Sequence, residues 1–309
     1  MKTNAIVRIV LWTLVILILL GIMVGIMGGV TFFRNVRTSN MESDATPVEV
    51  LPSGDSLRIP ADQIMDIEIE WAAGSILIQP ADVEEIEISE TKVSDEKYAM
   101  RWKQNGNKLT IQFCEETFVN SFGINNFPTK DLTIFVPRDW SCDSLEIDAA
   151  SATLEVNDLT IREVEIDTAS GTCIFDNCAV NKLDLDTASG DVRFVGSLDI
   201  LDCDAASASV YAVLDNVPTR MDMDSMSGDL DITLPETAGF TVTMDTMSSD
   251  FTSDFETTIK NGNYTHGDGS CRINVDAMSG DVTIRAASVV PTVPEAPEAT
   301  TAPEAPTAP

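Results

Sequence analysis

One histidine, His266, stands in a chain of 309 residues, and no two of the six cysteines are spaced C-x-x-C. The first scarcity leaves a Ser-His-Asp relay one base to choose from, with no nucleophile elbow to accompany it. The second removes the usual zinc and thiol-redox spacings. Bases are also scarce, 19 Lys and Arg against 50 Asp and Glu, for a net charge of −31. Residues 1–33 hold Lys2 and Arg8 and no acid, so the remainder carries 17 bases and 50 acids, or −33. Such a surface repels nucleic acid and anionic lipid headgroups. It excludes nucleic acid as a partner and suits an ectodomain that stays in solution or collects cations.

Only one stretch is apolar throughout. Ile9 to Phe33 is 25 residues long, interrupted by Thr13 and Thr31 and otherwise by glycine. A helix crosses a bilayer with about 20 apolar residues. A cleaved signal peptide has a shorter apolar region and ends at a small-x-small site. Here the run ends Gly28-Gly29-Val30-Thr31-Phe32-Phe33, so the expectation is an uncleaved, single-pass transmembrane helix, with the membrane met through residues 9–33. Positive charges nearly balance across it, with Lys2 and Arg8 before and Arg34 and Arg37 after. The short leading segment favours a cytoplasmic N-terminus and an extracellular domain.

Beyond the anchor the dominant feature is a phrase, Asp-x-x-Ser followed by a small residue, that returns seven times. Its serines are Ser151, Ser170, Ser189, Ser207, Ser227, Ser248 and Ser279, spaced 19, 19, 18, 20, 21 and 31 residues apart. A fixed period this short, filled with strand-forming residues, is the mark of stacked coils. Two apolar pairs flank each serine. Six and four places before it come Leu145 with Ile147, Val164 with Ile166, Leu183 with Leu185, Leu201 with Cys203, Met221 with Met223, Val242 with Met244 and Ile273 with Val275. Three and five places after it the pairs run from Leu154 with Val156 to Val282 with Ile284. Members two residues apart face one side of a strand. A weaker third pair, such as Leu159 with Ile161 and Cys178 with Val180, gives each coil three sides.

The expected fold is therefore all-β: a β-solenoid of about seven regular coils of 18–21 residues, with degenerate coils ahead of them. Ile67 to Ile78 fits the template with Glu70 in the Asp place and Gly74 in the glycine place, and Ile86-Glu87-Ile88 reads as the next strand. A hairpin is expected around Gln104-Asn105-Gly106-Asn107, and the long gap before Ser279 reads as a protruding loop. The domain division is 1–40 anchor with flanks, 41–59 linker, 60–286 solenoid and 287–309 a disordered Pro/Ala/Thr/Glu tail.

Some of these residues carry a family likeness. A strand ending Phe135-Val136-Pro137, the phrases Ser189-Gly190-Asp191, Ser227-Gly228-Asp229 and Ser279-Gly280-Asp281, and the passage Leu234 to Val242 resemble the bacterial putative-adhesin domain family. The likeness covers roughly residues 60–285. It implies a repetitive β-solenoid of unknown function that often follows a membrane segment. Its motifs are structural and name no catalytic residue, and adhesion enters only by analogy with other surface β-helices.

The candidate chemistry lies in a column of acids: Asp148, Asp167, Asp186, Asp204, Asp224, Asp245 and Asp276. Carboxylates stacked at about 4.8 Å repel by about 0.9 kcal/mol per neighbour even in water. Two readings stay open. Each Asp accepts a backbone N–H two residues on and shapes a turn, or the column is a row of calcium sites. Cys142, Cys173, Cys178 and Cys203 fall on inward positions and read as buried thiols. Leu234-Pro235-Glu236-Thr237 imitates a sortase signal, but Ala238 stands where glycine is required. Met226, Met247 and Met278 replace the alanines that precede the serine in earlier coils, which reads first as turn packing and second as a partner surface.

These features lead to a membrane-anchored, non-catalytic surface module for adhesion or binding, with a protein or cell-surface polymer as partner and no cofactor. The alternatives are an envelope-stress sensor or regulatory partner of a membrane complex, an enzyme acting on surface glycans, and self-assembly through the solenoid ends.

Overall fold

The computed structural model describes residues 48–287 apart from 53, 92, 94 and 115–127. The membrane segment at residues 9–33 and the tail from 288 lie outside the described residues. Among those described, no helix is long and apolar enough to cross a membrane. Twenty strands follow in chain order. The first six are β1 (Glu49–Val50), β2 (Ser56–Pro60), β3 (Asp66–Ala81), β4 (Glu85–Glu90), β5 (Arg101–Asn105) and β6 (Lys108–Gln112). Then come β7 (Lys130–Pro137), β8 (Ser141–Asn157), β9 (Thr160–Ser170), β10 (Cys173–Ser189), β11 (Val192–Ser207), β12 (Val210–Leu214), β13 (Arg220–Ser227) and β14 (Leu230–Leu234). The last are β15 (Phe240–Ser248), β16 (Phe251–Ser253), β17 (Thr258–Lys260), β18 (Asn263–His266), β19 (Cys271–Ser279) and β20 (Val282–Ala286).

These strands stack as the period predicts. Leu145 lies beside Val164, then Leu183, Leu201 and Met221 in parallel register, so residues at one repeat position form a column. Burial alternates with the pleat. Leu145, Ile147, Val164, Ile166, Leu183 and Leu185 point into one continuous core, and the residues between them point out. The third pair closes the core on its remaining side, with Cys142, Ile161, Val180 and Leu198 in one buried column. Corners are tight enough to exclude side chains. A Cβ on Gly190, whose φ is +142°, would lie 1.8 Å from the Gly171 carbonyl oxygen of the coil before.

Stacking order departs from chain order at both ends. β3 lies against β8 on one side and against β6 and β7 on the other. At the far end β19 lies between β13 and β15, and β20 between β14 and β16. The last repeat is thus inserted inside the stack, and the repeat of Ser248 forms the final layer. The gap before Ser279 holds no free loop: β17 and β18 make an antiparallel hairpin, and β18 pairs with Phe240–Val242 of β15. From the β6–β7 layer to the β15–β16 layer, nine layers are stacked among the described residues.

The first layer is closed by antiparallel strands. β5 covers β6 and β1 covers β5, while β4 covers β7 and β2 covers β4. Ile86-Glu87-Ile88 is thus the strand after β3, as expected, and it belongs to the cap. β1 and β2 fall within the stretch read as a linker and extend the ordered fold ahead of residue 60.

Candidate functional site

The outward positions of the central strands build an acidic face. The column expected from the sequence is present in register: Asp148, Asp167, Asp186, Asp204, Asp224, Asp276 and Asp245 follow one another, and Glu70 of β3 precedes them. A second acidic column, two residues earlier, holds Glu68, Glu146, Glu165, Asp184, Asp202 and Asp222. Reading the sequence from the serines missed it, although an acid recurs at that place in five successive repeats. Together the columns set fourteen carboxylates on one face, eight and six.

The second column has a matching row of bases. Lys108 Nζ lies 3.0 Å from Glu68 and 3.2 Å from Glu146. Lys182 pairs with Asp184 at 2.6 Å, and Arg220 reaches Asp222 at 2.6 Å and Asp202 at 2.8 Å. Along the first column the neighbours are carboxyls. Each is open to water on its outer side and hemmed in above and below. Shielding from water, then the charges of Asp167, Glu146, Glu70 and Glu68, push Asp148 up to about 7. Shielding, then Asp167 and Asp204, push Asp186 up to about 6, and Asp224 rises to about 6 by shielding and then Asp204 and Asp276. Asp167 is raised too, by shielding and then by the charges of Asp184 and Glu146. Asp204, shielded and beside Asp184 and Asp202, is raised in the same direction.

This geometry differs from the expected turn. The carboxylates of Asp148, Asp167, Asp186, Asp204 and Asp224 take no backbone N–H two residues on. The turn is held instead by hydroxyls such as Thr187 Oγ1, which donates to the Ser189 carbonyl at 3.2 Å. Among the described residues no three His, Cys, Asp or Glu side chains converge where an ion could sit. The carboxylates form lines, whereas calcium takes six to eight oxygens around one point.

A third line of acids does bind backbone. Asp191 Oδ1 accepts the Ser209 N–H, Ser209 Oγ accepts that of Asp229, Asp229 Oδ1 accepts that of Asp281, and Asp281 Oδ1 accepts that of Asp250. Each side chain holds the next layer at the same repeat position.

A buried node at the closed end was not legible in the sequence. Lys130, the first residue of β7, and Glu90, the last of β4, form an ion pair with both side chains fully buried. Lys130 Nζ also donates to the carbonyls of Tyr98 and Phe113, which uses all three ammonium hydrogens. It sits 4.8 Å from the Trp71 ring centroid and 4.3 Å from that of Phe113. Glu90 Oε1 accepts the Met100 N–H at 2.8 Å, and Trp71 Nε1 donates to the Lys130 carbonyl at 3.0 Å. Burial pulls the Lys130 ammonium below its usual range, against the pull of Glu90. No pattern sets this lysine apart from a surface lysine.

The remaining candidates are occupied. His266 Nδ1 donates to the Glu256 carbonyl at 2.7 Å, and its ring packs against Phe240 and Phe255. All six cysteines are buried free thiols. Burial pushes Cys142, Cys173, Cys203 and Cys271 up to about 12. Leu234 of the sortase-like phrase is wholly buried. The three methionines are brought together by the inserted repeat, since β13, β19 and β15 are neighbours. Met226 and Met278 are half-buried, and Met247 on the last layer is 74% exposed.

The sequence profile of the Toastrack DUF4097 family matches residues 64–198 and again 197–285. Among solved structures the chain is similar to a putative cell adhesion protein from Clostridium sporogenes ATCC 15579, with a TM-score of 0.37 and 9% identity over 78% of this chain and 99% of that one. It is also similar to a putative adhesin from Bacteroides fragilis NCTC 9343, with a TM-score of 0.43 and 14% identity over 77% and 100%. A third similarity is to a putative lipid binding protein from Parabacteroides distasonis ATCC 8503, at a TM-score of 0.24 and 11% identity over 76% and 99%. No curated protein matches the chain.

Proposed function

The chain belongs to the Toastrack DUF4097 family, and from that premise we propose that it is a non-catalytic binding or adhesion module, held at the cell surface by residues 9–33 with the solenoid outside. The observation that carries this reading is the acidic face. Fourteen carboxylates stand in two columns on a regular surface, and a row of bases lines one of them. A face that repeats every layer, at about 4.8 Å, suits an extended partner bearing positive charge at intervals, such as a cationic surface polymer or a basic protein segment. No metal or cofactor enters this reading. The chemistry of an enzyme has little to draw on, with one histidine bonded to a carbonyl and every thiol buried.

The test is competition. A secreted form lacking residues 1–40 is added to cells that display the full chain, and attachment to neighbouring cells or matrix is measured. The binding reading predicts that the secreted form blocks attachment, because the solenoid alone holds the site. Unimpeded attachment, together with altered envelope-stress output when the anchor is removed, would replace it with the regulatory role in a membrane complex.

A further inference from the structure

The two ends of the solenoid are finished differently. At the closed end β5 and β4 cover both strands of the first layer. At the other end β18 covers only Phe240–Val242. Beyond Val242 the outer edge of β15, and that of β16, carries no strand among the described residues. An uncovered edge offers a row of main-chain donors and acceptors to any extended chain.

Three observations say what fits there. The relay that runs through Asp229, Asp281 and Asp250 stops at the last layer. The Asp250 N–H is bound by Asp281 at 2.9 Å, whereas the Asp250 carboxylate, exposed, stands where each earlier member accepts the N–H of a following layer. Beside it Ser249 Oγ is buried with no hydrogen-bond partner, as Ser225 Oγ is on β13 within the stack. The methionine column also ends here, with Met247 74% exposed and Ile259 of the adjoining hairpin 69% exposed. The rim is acidic, with Asp250, Asp254 and Glu256 exposed around it, so a second copy of this chain, at −31, would meet its own charge.

We infer that the open end is a strand-acceptor site: an extended peptide segment with apolar and basic residues adds in parallel to β15 and β16 as a tenth layer. Its main chain continues the ladder, and one N–H takes the place prepared by Asp250. An apolar side chain packs on Met247, and basic side chains meet the acidic rim. This is main-chain recognition with side-chain pockets, the mode of β-strand addition. It deepens the binding reading above and rests on the end layer, meeting the acidic face only at Asp245.

A suitable probe is a synthetic peptide with the sequence of residues 274–286 carrying D276K, which starts beyond the positions that β18 covers. In the register of β19 its lysine falls over the acidic column, its methionine over Met247 and its Asp281 N–H over Asp250. Binding is measured by fluorescence anisotropy against the full chain in mild detergent, with hydrogen exchange followed across residues 243–253. The expected result is a Kd on the order of 10 μM, new protection confined to 243–253, and loss of about ten-fold or more in M247K and in D250A. The peptide without D276K should bind more weakly. No binding to the parent chain, or binding indifferent to both substitutions, overturns the inference. Protection of 243–253 that grows with protein concentration in the absence of peptide would give the end to a second copy, which also overturns it. Because the decisive losses are read at Met247 and Asp250, which belong to neither acidic column, failure here leaves the competition result standing, and the converse holds.

Discussion

Lys130 is the residue on which the closed end depends. Its ammonium gathers the ends of four segments: Glu90 from β4, the Tyr98 carbonyl, the Phe113 carbonyl after β6, and β7 through its own backbone. Removing one partner of a buried pair leaves the other charge unpaired, whereas replacing both with neutral groups often costs little. K130M is therefore predicted to lower stability by about 3–5 kcal/mol, and K130M with E90Q to recover much of that loss. Urea unfolding followed by circular dichroism checks both. A double variant no better than K130M would show that the node acts through packing against Trp71 and Phe113. Nothing in the sequence marks this site. Glu90 and Lys130 are 40 residues apart, and each sits in an ordinary polar context; only folding the cap over the first layer joins them.

At the scale of the element, the columns were legible and their chemistry was less so. The period fixes which residues share a column because a parallel stack repeats side-chain positions without offset. It placed all seven aspartates in register. It did not reveal that their carboxyls crowd one another and leave the backbone alone while a different set, Asp191, Asp229 and Asp281, binds it, since hydrogen-bond direction is not written in spacing. Asp148 near 7 and Asp186 and Asp224 near 6 stand above the unfolded value of 3.8. Between about pH 4 and pH 7 the folded chain thus binds more protons than the unfolded one, and stability falls as pH rises through that window. The Tm is predicted to climb as pH is lowered from 8 to 5 at constant ionic strength, and D186N is predicted to flatten the climb. The charges of Glu146, Glu165, Asp184, Asp202 and Asp222, which face the column from the same sheet, help to raise it. Exposed acids held down by Arg138, Lys97 and Ser270, namely Asp82, Asp95 and Asp268, work in the opposite sense, and only at lower pH. A Tm that falls steadily from pH 8 to 5 would contradict the raised carboxyls of the column.

At the scale of the whole molecule, the sequence announced a solenoid but not the order of its layers. Each repeat is compatible with any neighbour of the same template, so period alone cannot say that the seventh lies inside the sixth. The 31-residue spacing before Ser279 was the one sign of it. The extra residues form the hairpin that caps part of β15 and return the chain to the vacant layer. That insertion has two results: it aligns Met226, Met278 and Met247, and it leaves the last layer as an open edge at the end farthest from the cap. The acidic face runs the length of the stack between these ends, and the account rests on its being the binding surface. The most direct test is calorimetric titration of an oligolysine into three forms of the full chain at physiological salt. These are the parent, D167N/D186N/D204N on the face, and D55N/D62N/E236Q off it, so that both variants change net charge equally. The predicted result is a loss of about ten-fold or more for the face variant, and about two-fold or less for the other. Equal losses would mean that net charge alone attracts the ligand and that the ordered columns are not a binding site.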